Sequence, residues 1–100
     1  MESALKCLQA LDNAQQVVAL EYLAAAQALE FVKPLQPGRG ARAAYHVVRR
    51  TVPALEGDRS LAGDHAAIRD LMARRELVAA AEKEAGRLRD VSLRDLASAR

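Results

Sequence analysis

Two histidines, one cysteine, four serines and thirteen carboxylates are the chain's material for chemistry, and their spacing organises little of it. His46 and His65 stand 18 residues apart and Cys7 is remote from both. No HxxxH, CxxC or HExxH spacing occurs, so a zinc site has no support and no metal is expected. Both histidines read as solvated or supporting groups. Nucleophilic catalysis needs a nucleophile, a base and an orienting group within mutual reach. Ser3, Ser60, Ser92 and Ser98 lie in no GxSxG-like setting, and Cys7, among Leu5, Leu8 and Leu11, reads as a small hydrophobe. Glu21 and Glu30 are nine positions apart on one predicted helix and do not meet as an acid–base pair. Glu21, the only charge between Val17 and Ala26, reads as an interhelical salt-bridge partner or a register-setting polar group.

Anion and nucleic-acid chemistry fares no better. Pro37-Gly38-Arg39-Gly40 precedes a predicted helix, whose N-terminus attracts anions. It lacks a P-loop Lys-Ser/Thr and a preceding strand, so it reads as a turn. Arg49-Arg50 and Arg74-Arg75 are basic pairs balanced by nearby acids, and the net charge is only +2. Tyr22, Phe31 and Tyr45 form no stacking platform for bases. The connection over 53–63 is too long for a helix-turn-helix. No nucleic-acid partner is expected.

What would position these residues is helical. Of the 51% of residues that are hydrophobic, alanine supplies 22, leucine 14 and valine 8, which favours helix over sheet. The composition predicts an all-α chain, a single helical segment over 1–100. It opens with a long scaffold helix over 2–33, about 48 Å at 1.5 Å per residue. Pro34 limits this helix by disfavouring α geometry at Lys33. A turn follows over 34–40, then a helix over 41–52. There Ala41, Ala44, Tyr45, Val48 and Val52 share a face, with Arg42, Arg49 and Arg50 largely elsewhere. The loop over 53–63 anchors through Leu55 and Leu61. Asp64 is expected to cap the helical part over 64–98, in which Ile68, Leu71 and Met72 form an apolar face, residues 77–88 are helix-prone, and Ser92 with Asp95 forms a capping box.

The long helix has apolar residues on more than one line. Leu8, Leu11, Val18, Tyr22, Leu29 and Val32 form one stripe, Leu5 and Leu23 a second, and Val17, Leu20 and Phe31 a third. A helix apolar all round is normally enclosed on all sides. One hundred residues hold too little mass to enclose this one. An oligomeric helical bundle is therefore expected, with Leu8, Leu11, Val17, Val18, Leu20, Tyr22, Leu23 and Leu29 at the interface. The chain has no apolar run long enough for a membrane span and no signal-peptide pattern. A lone cysteine suggests a reducing, cytoplasmic setting.

The run from Val17 to Phe31, Val-Val-Ala-Leu-Glu-Tyr-Leu-Ala-Ala-Ala-Gln-Ala-Leu-Glu-Phe, preceded by Asp12-Asn13, resembles the C-terminal region of the histidine and aromatic amino acid ammonia-lyases. Lys33-Pro34-Leu35 is similar to the family's R-P-L. Val52-Pro53, Leu55, Asp58-Arg59, Leu61 and Asp64 are similar to its V-P-x-L-x-x-D-R-x-L-x-x-D pattern. The resemblance runs from Ser3 to Ala81, about four-fifths of the chain.

The resemblance implies a long, mainly helical parent, usually a homotetramer, whose long helices from several subunits form a central bundle. Such enzymes eliminate ammonia from histidine, phenylalanine or tyrosine without oxidation, on a methylidene-imidazolone formed from an internal Ala-Ser-Gly. That triad is absent here; the nearest run is Ala97-Ser98-Ala99. The family's catalytic Tyr, Asn, Gln and Arg positions lie upstream of the matched region. No catalytic residue and no cofactor are thus expected in this chain, and Glu21 matches a scaffold position. The expected role is oligomer assembly, as a homodimer or homotetramer or with an N-terminal lyase chain. The alternative is an independent helical protein-binding or regulatory module.

Overall fold

A computed structural model of the chain describes residues 1–89; the capping box expected at Ser92 and Asp95, and the Ala97-Ser98-Ala99 run, lie outside the described residues. The described residues form four α-helices: α1 (Glu2–Phe31), α2 (Arg39–Thr51), α3 (Ala62–Ala73) and α4 (Glu76–Ala85). The all-α class follows from the composition: thirty consecutive residues without Gly or Pro, dominated by Ala and Leu, propagate α1 without a break. The helix closes at Phe31, and the Leu35 N–H turns back to the Val32 carbonyl at 3.0 Å. Pro34 keeps Lys33 out of the helix. Gly38, at φ −57°, precedes α2, and Arg49 and Arg50 place positive charge at its carbonyl end. Val52 leaves α2 extended and leads into Pro53.

The start of α3 corrects one expectation. The helix begins at Ala62, and no side chain caps it. Asp64 lies inside the first turn, where its carboxylate pairs with the Arg59 guanidinium at 2.8 Å instead of accepting amides. A charge-assisted bond of this kind is stronger than a neutral cap. Only Arg74 and Arg75 separate α3 from α4, and Arg75 adopts the left-handed conformation, φ 58° and ψ 25°. Gly86, at φ 87°, ends α4.

α1 packs chiefly on α3, and α2 on α4. Ile68, Leu71, Leu77, Val48 and Val52 are fully buried between the helices, with Val47, Ala19 and Ala26 beside them. Burying each large aliphatic side chain contributes about 1.5–3 kcal/mol. Small residues set the spacing. Ala19 and Ala26, seven positions apart, put the α1 backbone close to its neighbours. Gly40 lies so near α4 that a Cβ there would sit 3.1 Å from the Ala85 Cβ.

The apolar middle of α1 is divided between two faces. Tyr22 and Leu23 pack against the core formed by the chain's own helices, alongside Ala19 and Ala26. Val17, Leu20 and Phe31 point away from it, more than half exposed, as do Leu5, Leu8 and Leu11.

Candidate functional site

The face that could act on something else is the outward side of α1 together with the connection over 52–61. Behind it lies a set of polar clamps that fix its shape. Gln27 is the first. Its Nε2 donates to the Leu55 carbonyl at 3.3 Å, and its Oε1 accepts from the Leu55 N–H at 3.0 Å. One side chain thus satisfies both backbone groups of a residue that has no helix or sheet partner. It also explains why Leu55 is half-buried as expected, while Leu61 is not the anchor expected of it: 43% of Leu61 remains exposed.

Glu30 is the second clamp. Its carboxylate accepts from Lys33 at 2.7 Å and from Arg49 Nε at 3.0 Å, and it also accepts the Tyr45 hydroxyl hydrogen bond. Lys33 chiefly, then Tyr45 and Arg49, hold the Glu30 carboxyl down at about 2, against a slight opposing effect of burial. The same pairing raises Lys33. Arg49 also donates through Nη1 to the Val52 carbonyl at 3.2 Å, so it ties the end of α1 to the end of α2. Its guanidinium lies 5.4 Å from the Tyr45 ring centre, within cation–π range.

A third group braces the connection from the other side. Arg59 Nη2 donates to the Pro53 carbonyl at 2.9 Å and to Asp64 at 2.8 Å. Pro53, Arg59 and Asp64 all belong to the second of the two sequence motifs. Pro53 turns the chain, Arg59 spans it, and Asp64 holds Arg59 to α3. At the other end of the α1–α3 contact, Asp12 pairs with Arg69 at 2.7 Å and accepts from Gln16 at 2.8 Å. His65 Nε2 lies 3.2 Å from the Gln16 carbonyl. The two steps of four residues, 12–16 and 65–69, therefore mesh. Arg69 and then Gln16 hold the Asp12 carboxyl below its usual range.

Between these clamps an apolar groove of about 370 Å³ runs beside α1, with Leu20, Leu23, Ala24, Val52, Pro53 and Leu55 in its walls. Of the expected interface residues, Leu8, Leu11, Val17, Val18 and Leu20 are exposed. Leu29 is half-buried, and Tyr22 and Leu23 turn inward. Glu21 is exposed and makes no ion pair among the described residues; the interhelical role expected of it is filled by Glu30. Arg49, grouped in the sequence with Arg50 as a surface pair, is largely buried. Its signal was Tyr45 and Arg49 four positions apart on α2, facing a carboxylate that closes α1. His46 and Cys7 are exposed and approach none of these groups. No three His, Cys, Asp or Glu side chains converge as a metal site among the described residues, and no helix there is long and apolar enough to cross a membrane.

The model of the family described as aromatic amino acid lyase matches residues 1–50, all of α1 and nearly all of α2. The chain belongs to that family. It is 52% identical to a histidine ammonia-lyase of Myxococcus xanthus over 64 residues, 64% of this chain and 13% of the relative. It is 48% identical to a histidine ammonia-lyase of Symbiobacterium thermophilum over 86 residues, 86% of this chain and 17% of that one. A histidine ammonia-lyase of Natranaerobius thermophilus is 49% identical over 61 residues, 61% of this chain and 12% of the relative. The chain thus spans well under a fifth of the length of the curated relatives it matches. No solved structure matches it. Gln27, Glu30, Tyr45 and Arg49 all lie within the span matched by the family model.

Proposed function

We propose that this chain is a C-terminal scaffold segment of a histidine or aromatic amino acid ammonia-lyase, serving helical assembly and contributing no catalytic residue. The observation that carries this reading is the outward face of α1. Leu5, Leu8, Leu11, Val17, Leu20 and Phe31 are each more than half exposed along one helix in a single chain. Contiguous apolar surface of that kind favours association. Homology over the same helix supplies the context. The chain has no Ala-Ser-Gly, so the residues present do not fit the electrophile of the family, and no step of elimination is assigned to them. A cytoplasmic location, and a homodimer, a homotetramer or a complex with an N-terminal lyase chain, are parts of the same proposal.

The test is complementation. The chain is mixed with a purified N-terminal lyase chain that ends where this one begins, and urocanate and cinnamate formation are followed. Activity that appears only in the mixture supports assembly. A mixture no more active than its parts, with both chains folded, overturns it.

A second reading has its own support. Ile68, Leu71, Leu77, Val48 and Val52 form a closed core within the chain, as an independent protein-binding or regulatory module requires. Sedimentation separates the two. A compact monomer at all concentrations favours the module, whereas a concentration-dependent oligomer favours the scaffold.

A further inference from the structure

We draw no further inference here: the strongest candidate, the apolar groove of about 370 Å³ between α1 and the connection over 52–61, is an unpartnered face, and nothing in the structure shows what covers it.

Discussion

The Gln27 side chain grips Leu55 by both its backbone N–H and its carbonyl, across 28 positions of sequence. This pair joins the long helix to the connection that follows α2. With Glu30 and Arg49 it decides where residues 52–61 lie. It also replaces hydrogen bonds that the irregular backbone at Leu55 would otherwise have to find in water.

Gln27→Ala should therefore lower the unfolding free energy by about 1–3 kcal/mol, the usual cost of leaving partly buried backbone groups without partners. Urea denaturation followed by circular dichroism measures it. A loss below about 0.5 kcal/mol, within the range of an ordinary surface change, would mean that water replaces the clamp at no cost.

The Glu30 cluster predicts the direction of acid sensitivity. Its folded carboxyl is held at about 2, below the ordinary 4.5. A carboxyl depressed on folding contributes stability above its unfolded value, and that contribution disappears as pH falls through the folded one. Stability should fall between about pH 4.5 and 2 more steeply in the parent chain than in Glu30→Gln. Asp12, lowered by Arg69, adds to the slope in both chains. Equal slopes in denaturation series across this range would show that Glu30 is not held in its charged form.

Two substitutions on α1 separate folding from association. Leu20 is exposed and Leu23 packs on the core. Leu20→Asp should leave helicity and melting nearly unchanged while reducing any oligomer to a monomer in sedimentation. Leu23→Asp should also destabilise the single chain, by about 1–3 kcal/mol. If Leu20→Asp keeps the parent mass in an oligomeric preparation, the outward face is not the interface.

The glycines around the start of α2 differ in the same way. Gly38 has an ordinary negative φ and open space around it, so Gly38→Ala should change stability by only a few tenths of a kcal/mol. At Gly40 the nearest atoms are the Ala85 Cβ at 3.1 Å and the Ala81 carbonyl at 3.5 Å. Gly40→Val should push α4 away from α2 and cost about 1–3 kcal/mol in thermal or chemical denaturation. Equal effects at the two sites would contradict the close approach of these helices.

The helical class and the place of the breaks were legible because Gly and Pro punctuate a chain otherwise rich in Ala and Leu. Local patterning also identified Ile68 and Leu71 as core. The polar clamps were not legible, because they join residues far apart in sequence. Nothing near Gln27 announces Leu55, and a carboxylate alone in an apolar run, Glu21, drew attention that belonged to Glu30. Asp64 misled for a related reason. Its position before an apolar run suits a cap, but Arg59, five residues earlier, takes its carboxylate once the connection folds back. The apolar stripes of α1 were visible as lines. Which of them faced the chain's own core depended on where α2 and α3 dock. That choice turned Tyr22 and Leu23 inward and left Val17 and Leu20 outside.

The two-residue junction at Arg74 and Arg75 makes the last helix a matter of phase. With a single left-handed residue reversing the chain, there is no slack to absorb a change in length. One inserted residue would rotate the start of α4 by about 100°, a single step of 3.6 residues per turn, and swing Leu77 from the interior toward solvent. Length at this corner is therefore held as tightly as side-chain identity in the core, although both residues that form it are exposed arginines.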